Sequence, residues 1–153
     1  MIDDLKSLYK RDLEKLKEEI SLYRDESSMW KVGGQITNSA GNLCLHLLGN
    51  INHFICAEFG KTGYVRHRDL EFSTRETPRD ELLAKIDETI AAVDTSLDKV
   101  TAEHLAADYP VVVFAESMTT GWFLIHLVTH LNYHLGQINY HRRIFDIAEH
   151  GAE

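Results

Sequence analysis

The segment HLVTHLNYHLGQINYHRR, residues 126–143, decides the fold that this sequence predicts. It holds four of the chain's nine histidines and has no acidic or basic residue before its terminal Arg-Arg pair. Either Thr119 or Thr120 is a suitable N-cap for a helix that we expect to run from Gly121 to about Ala148. Because the central part of this helix is almost free of charge, we expect its polar face to point inward or to line a cleft.

The histidines of this helix share one face. At about 100° per residue they fall within an arc of roughly 80°, and a glutamine joins them. A second, nearly charge-free helix is predicted from either Asn38 or Ser39, as N-cap, to about Phe59, and it repeats the pattern. Two such stripes predict a polar seam through a helical protein. The stripe on the earlier helix consists of Asn42, His46, Asn50 and His53, and the stripe on the later helix consists of His126, His130, His134, Gln137 and His141.

The spacing within the polar seam predicts a metal site. His130 and His134 lie one helical turn apart, so their rings can converge on one ion, and neutral imidazole is the commonest metal ligand. His46, in the middle of the other stripe, is the best third ligand, whereas Cys44 lies about 160° away around its helix. Three imidazoles leave positions for water or substrate, as catalytic metal sites require. The alternative is that each histidine is a core residue that is hydrogen-bonded to a neighbouring group.

Two amphipathic helices complete the predicted architecture. The first runs from Ile2 to Tyr23, and the other opens with Thr77 as N-cap and Pro78 in its first turn and ends near Val100. The run VVVF, residues 111–114, is either a short strand or an apolar loop packed over the end of the helices. Four long helices without repeats predict an all-α fold, a four-helix bundle.

A single domain over residues 1–153 is expected, with long loops between its helices. The loop GKTGYVRHRDLEFSTRE, residues 60–76, can cross the bundle at about 3.3 Å per residue, which permits an up-down-down-up order. Helices two and four then run antiparallel. In that order His53 lies nearer to His126 than to His141, and neither His53 nor His126 is expected to bind the metal.

Composition and charge limit the function. The net charge of −8 argues against nucleic acid as the main partner, because proteins that bind it cluster Lys and Arg. Cys44 and Cys56 are about 18 Å apart along one predicted helix and cannot pair, and two reduced cysteines suit the cytosol. The N-terminal segment is charged throughout, unlike a signal peptide or a membrane span. We therefore expect a cytoplasmic protein without a membrane partner.

Two segments carry a resemblance to a known family. NSAGNLCLHLLGNINHFI together with LIHLVTHLNYHLGQINYHRR resembles the DinB/YfiT-like superfamily of metalloenzymes, and the likeness extends over most of the chain, including YVRHRDLEF and TPRDELL. The resemblance implies a four-helix bundle with a divalent metal held by three histidines, one from the second helix and an H-x-x-x-H pair from the fourth. Carried over, these are His46, His130 and His134. The segment HLGQI, which begins at His134 and continues beyond the pair, is a more specific mark of the family than the pair alone.

Thiol chemistry is what the resemblance implies about function. Superfamily members with known chemistry use low-molecular-weight thiols such as bacillithiol or mycothiol, which favours a thiol S-transferase acting on a small-molecule substrate. The implied cofactor is one divalent ion, zinc or nickel, with iron or manganese as alternatives. Three neutral imidazoles leave the ion its full charge, which equally suits a metal-dependent hydrolase. A non-catalytic bundle that binds a metal or another ligand remains a third interpretation.

Several groups near the predicted site have two interpretations each. Asn42, Asn50, His53, His126 and Gln137 are candidates to orient the ligand rings or to line a pocket, or they satisfy buried backbone groups. In the long loop, Arg66 and Arg68 are candidates to bind an anionic substrate; the alternative is that they pair with Asp69 and Glu71 on a solvated surface.

A homodimer is also expected. Cys44, Leu48, Ile55 and Phe59 lie about 160° to 220° from His46 around the second helix, on the face turned away from the polar seam. An apolar outer face needs to be covered by a partner. The alternative is that helix one, helix three or a loop of the same chain covers it.

Overall fold

A computed structural model describes residues 1–147, which form helices and loops without a strand. The predicted all-α class is confirmed. Within this part of the chain, no helix is both long and apolar enough to cross a membrane. A 3₁₀ turn at Glu26–Trp30 precedes the second α-helix, and a π-helical segment at Asn52–Ala57 extends it. The α-helices are α1 (Ile2–Ser21), α2 (Ala40–Ile51), α3 (Arg68–Ser73), α4 (Arg79–Leu97), α5 (Ala102–Ala106) and α6 (Thr120–Phe145).

Hydroxyl side chains cap both helices of the polar seam. Ser39 accepts a hydrogen bond from the backbone N–H of Asn42, and Thr119 accepts one from the N–H of Trp122. The predicted cap at Thr77 is wrong. Pro78 occupies the N-cap position of α4 in extended conformation, and the N–H of Arg79 donates instead to the Glu26 carboxylate at 2.6 Å. A residue distant in sequence therefore supplies the missing acceptor.

The predicted helices overrun the observed ends. Tyr23 lies beyond α1, and Val100 lies beyond α4, yet both are buried in the core. The spacing of apolar residues therefore continues to indicate buried positions after the helical hydrogen bonds have ended. The second helix is α-helical only to Ile51 and reaches Ala57 through π-type turns, short of Phe59. The last helix ends at Phe145, and its expected end at Ala148 lies outside the described residues.

Two predicted loops differ from expectation. The long loop after the second helix contains α3, a six-residue helix. The VVVF segment is irregular, so the short-strand alternative is wrong, and Val111, Val112 and Phe114 are exposed. Backbone hydrogen bonds close this loop at its base, from the N–H of Tyr109 to the carbonyl of Met118 and from Thr120 to Ala107, both at 2.8 Å.

Contacts between side chains fix the directions of the long helices. The ring of His46 lies 5.1 Å from that of His130, while Phe54 lies 5.2 Å from Phe123, so α2 with its π-helical extension runs opposite to α6. The hydroxyl of Tyr9 donates to the Leu124 carbonyl and Asn139 donates to Glu19, so α1 and α6 run in the same direction.

The remaining directions follow from polar contacts of α4. Lys17 binds Asp87, and Lys6 binds Asp98, so α1 and α4 are antiparallel. The amide of Asn52 donates to Thr89 at the middle of α4. The largest fully buried core side chains come from the four long helices, the 3₁₀ turn, the π-helical segment and the residue Tyr23 just beyond α1. They are Tyr9, Leu13, Leu16, Ile20, Tyr23, Met29, Leu47, Ile51, Ile55, Leu82, Ile86 and Phe123.

The face on which the dimer was predicted is covered within the chain. Cys44 and Ile55 are fully buried, Leu48 is 5% exposed, and Phe59 is partly buried against the core. This part of the dimer argument is wrong, because the same chain covers that face, and α4 is among the elements that contact α2 and its π-helical extension. Both cysteines are free thiols.

A buried histidine at the end of α6 makes the fold sensitive to acid. Nδ1 of His141 accepts from the Tyr23 hydroxyl at 2.7 Å, and Nε2 donates to the Lys31 carbonyl at 2.8 Å. Burial lowers the pKa of His141 below its ordinary value of 6.5, although the bond to Lys31 opposes this shift. Because the unfolded chain then binds more protons than the folded chain, folding becomes less favourable as the pH falls below about 6.5.

We expect metal-free wild-type protein to lose more free energy of unfolding between about pH 7 and about pH 5 than the His141→Gln variant, since glutamine does not titrate. Urea unfolding at several pH values measures the difference. The matched control is His67→Gln, which removes an exposed histidine and should keep the wild-type slope. Equal slopes for wild type and His141→Gln would contradict this prediction.

Candidate metal centre

Three predicted ligands converge at one point between α2 and α6. Nε2 of His130 lies 3.3 Å from Nε2 of His46 and 3.1 Å from Nε2 of His134. Among residues 1–147, they form the one group of three or more histidine, cysteine, aspartate or glutamate side chains whose donor atoms could hold a metal ion. Two nitrogens bound at about 2.0–2.1 Å to a tetrahedral ion lie about 3.3 Å apart, which matches this spacing.

The two helices present the rings at different depths. His46 is buried at 7% exposure in the middle of α2, while His130 and His134 are half-buried one turn apart on α6. The rings meet edge to face, with interplanar angles of 81° to 89° among the three. The centre is therefore closed on the α2 side and more accessible on the α6 side.

Hydrogen bonds at Nδ1 fix two of the three tautomers. Nδ1 of His46 donates to Oε2 of Glu71 at 2.9 Å, and Nδ1 of His134 donates to Oε1 of Gln137 at 2.6 Å. The Nε2 atom of each ring is then left with its lone pair, directed at His130. Hydrogen-bond partners of this kind orient metal-binding histidines and raise their basicity.

The third ring, His130, shows whether the site is suited to a cation. One N–H of His130 can satisfy only one of the two facing lone pairs, whereas a divalent cation accepts an electron pair from all three rings. Burial lowers the pKa of His130 to about 4, helped by the neighbouring His134 and His46, so the ring stays neutral and able to bind a metal. Its buried Nδ1 has no hydrogen-bond partner among the described residues, and neither has Oδ1 of Asn50. The donor set fits a divalent ion.

Glu71 on α3 orients the His46 ring, a role that the sequence did not predict. The residue is 5% exposed, and its carboxylate binds Arg66 through two contacts, Nε to Oε1 at 2.6 Å and Nη2 to Oε2 at 2.9 Å. Burial raises the pKa of Glu71, but the hydrogen bonds from His46 and Arg66 and the charge of Arg66 outweigh it and leave the pKa below its ordinary value. The residue is therefore an ionised acceptor for His46.

Two residues of α2 allow α3 to approach. The Asn42 amide donates to the carbonyls of Glu71 and Thr74 at 3.0 Å and 2.8 Å, which ties both ends of the Glu71 turn to α2. A Cβ atom at Gly49 would lie 2.1 Å from Oε1 of Glu71, so only glycine permits this contact. A glycine in the middle of a predicted helix was the available sequence signal, because mid-helix glycine is costly unless another group must come close.

The loop arginines have different surroundings. Arg66 is paired with Glu71, as in the alternative interpretation of the loop, but the pair is largely buried and does not lie on a solvated surface. The guanidinium of Arg66 lies 5.6 Å from the centre of the Phe54 ring. Arg68 is exposed and lies 5.7 Å from the Phe72 ring. Two donor groups of Arg66 are thus engaged inside the protein. The anion-binding role of both residues stays a prediction.

The other histidines of the two stripes do not join the ligand group. His53 is exposed beside Phe54, and the ring of His126 lies 6.3 Å from that of His130. His141 is held in the core by Tyr23. The cysteines do not supply a nucleophile either, since burial raises the pKa of Cys44 to about 12 and that of Cys56 to about 11.

Glu71→Gln removes the charge behind His46 but keeps a side-chain oxygen, and we expect affinity for Zn²⁺ or Co²⁺ to fall by about 10- to 100-fold. Gly49→Ala should weaken binding in the same direction, because its Cβ displaces the Glu71 carboxylate. Competition titration with a chromophoric chelator measures both.

The matched control is Gly136→Ala in α6, where a new Cβ meets nothing within 4 Å. It should leave the affinity unchanged and stabilise the helix by up to about 1 kcal/mol. Wild-type affinity in Glu71→Gln would show that this carboxylate does not orient the site.

Comparison with known proteins places the whole chain in one family. The sequence matches the family described as "Protein of unknown function (DUF1572)" over residues 2–151, a range that contains the three histidines, Glu71 and every α-helix described above. No curated protein matches the chain. Because the match covers nearly the full sequence, the protein belongs to the DUF1572 family.

Proposed function

We propose that the protein is a metal-dependent enzyme acting on small molecules, in which His46, His130 and His134 hold one divalent ion. The observation that carries the proposal is the convergence of three Nε2 atoms. In His46 and His134 the proton is on Nδ1, which donates to Glu71 or Gln137, so Nε2 keeps its lone pair. Three protein ligands leave room for substrate, in contrast to the closed four-ligand sites of structural zinc. Imidazole ligands suit zinc and nickel, and iron or manganese are the alternatives.

We also propose that the fold is a DinB/YfiT-like four-helix bundle with up-down-down-up order. Four long helices support it, with α1 and α6 running in one direction and α2 and α4 in the other. The origin of the ligands supports it too, with one histidine from the second long helix and an H-x-x-x-H pair from the fourth.

Thiol transfer is the reaction that we favour. A bound divalent ion lowers the pKa of a coordinated thiol or water and polarises an electrophile. Because Cys44 and Cys56 are buried with raised pKa values, the thiol must come from a second small molecule such as bacillithiol or mycothiol. Its sulfur would form a C–S bond with the substrate as the bond to the leaving group breaks. Hydrolysis and non-catalytic metal binding use the same three histidines and are the alternatives.

We expect protein purified without a His-tag to contain about one divalent ion per chain, and the His130→Ala/His134→Ala double variant to contain almost none, since one imidazole cannot retain it. Elemental analysis after dialysis measures this. The matched control, His53→Ala, removes an exposed histidine and should keep the ion. Equal metal content in the double variant and wild type would place the site elsewhere.

Activity assays on the metal-loaded protein then distinguish the three candidate functions. Consumption of bacillithiol or mycothiol in the presence of electrophiles, lost in the double variant, supports the transferase. Ester or amide hydrolysis without thiol consumption would instead assign a hydrolase. Metal binding without either reaction across the panel would favour a non-catalytic protein.

A homodimer is our proposal for quaternary structure, with α6 as its interface. The outward face of the second half of α6 exposes Tyr133, Tyr140 and Ile144 at 46% to 66%, and the helix has no acidic or basic residue before Arg142. An uncharged apolar stripe of this length on a protein with 40 charged residues favours burial against a second copy.

Sedimentation should give a dimer at micromolar concentration, and Tyr133→Lys should weaken the dimer by at least about tenfold, because a lysine would have to be buried at its centre. Leu22→Lys is the matched control, since Leu22 is an exposed apolar residue just beyond α1. A monomeric wild type at high micromolar concentration would overturn this proposal.

A further inference from the structure

An aromatic cluster extends outward from the candidate metal centre along α6. The His126 ring lies 6.3 Å from the ring of His130, and Trp122 stacks on its other side at 5.4 Å with an interplanar angle of 3°. Phe114, from the loop before α6, meets the His126 ring edge to face at 5.1 Å. His126 therefore neighbours one ligand of the three-histidine centre, His130, and also contacts both Trp122 and Phe114.

Beyond this cluster lies an open cleft of about 590 Å³. It is formed by residues 114–119 of the loop and by Trp122, and Glu116 is its one charged residue. Phe114 is 45% exposed and Trp122 is 53% exposed, so both rings present apolar surface to the cleft. Backbone hydrogen bonds from Tyr109 to Met118 and from Thr120 to Ala107 hold the base of the loop in place.

We propose that this cleft binds the aromatic part of the small-molecule substrate while its reactive end reaches the three-histidine centre; the proposal rests on the proposed function. The volume lies within the range of about 300–1,000 Å³ that is usual for small-molecule sites, whereas a protein partner needs about 800 Å² of contact surface, far more than one loop and one helical turn provide. Aromatic walls select a planar apolar group, and the single carboxylate of Glu116 disfavours an anionic one. His126 lies between the cleft and the centre, since its ring contacts Phe114 and Trp122 on the cleft side and lies 6.3 Å from the ring of His130.

Two probes with the same metal-binding group test the cleft in the metal-loaded protein. We expect 2-naphthohydroxamate to bind at least about tenfold more tightly than acetohydroxamate, since only the naphthyl ring is long enough to extend past His126 toward Phe114. Phe114→Ala and Trp122→Ala should remove most of this preference and leave the affinity for acetohydroxamate unchanged. Val112→Ala is the matched control, because Val112 is exposed on the same loop and does not line the cleft.

A third probe tests the cleft without the metal. The chain has two tryptophans, so in a Trp30→Phe background the fluorescence comes from Trp122 alone. We expect 2-naphthamide, which carries no chelating group, to quench this fluorescence in a saturable way that Phe114→Ala abolishes. Saturable quenching with no binding of either hydroxamate would refute the open metal centre and retain the cleft. Equal hydroxamate affinities, or quenching that Phe114→Ala leaves unchanged, would overturn the cleft as an aromatic site.

Discussion

The hydrogen bond between Glu71 and Nδ1 of His46 is the interaction on which the candidate centre depends. It fixes the tautomer of the one ligand that α2 contributes, and it joins α3 to the pair of helices that carry the ligands. A carboxylate buried to this extent is costly unless every oxygen is paired. The cost is offset here by the two contacts from Arg66 and by the imidazole N–H.

This requirement explains features of the sequence that are otherwise unfavourable. Gly49 weakens a helix that is otherwise well formed, but any larger residue would collide with the Glu71 carboxylate. Asn42 is a polar residue at 2% exposure, and its amide donates a hydrogen bond to the backbone carbonyl of Glu71 in α3. Both residues lie within about 60° of His46 around α2, so one face of α2 carries the ligand and also receives the group that orients it.

The sequence predicted the parts of the structure that depend on local spacing. An H-x-x-x-H pair places two rings on one helical face. The caps at Ser39 and Thr119 mark helix starts, because each hydroxyl accepts a hydrogen bond from the backbone N–H three residues later. Glu71 was not identified as an orienting group because its role arises from contact with His46, 25 residues away in the chain. The start of α4 was misplaced for the same reason, since its capping acceptor, Glu26, comes from a distant turn.

The four histidines on one face of α6 show why spacing alone does not identify ligands. They share an arc of roughly 80°, yet their roles differ with the group that faces each one. At the level of His130 and His134, the antiparallel α2 presents a third imidazole whose lone pair points at them. Toward the N-terminus of α6, His126 meets Trp122 and Phe114 instead, and toward the C-terminus His141 meets a hydroxyl and a carbonyl. A histidine stripe therefore becomes a metal site only at the level where the opposing helix supplies another imidazole, and the direction of that helix decides which level this is.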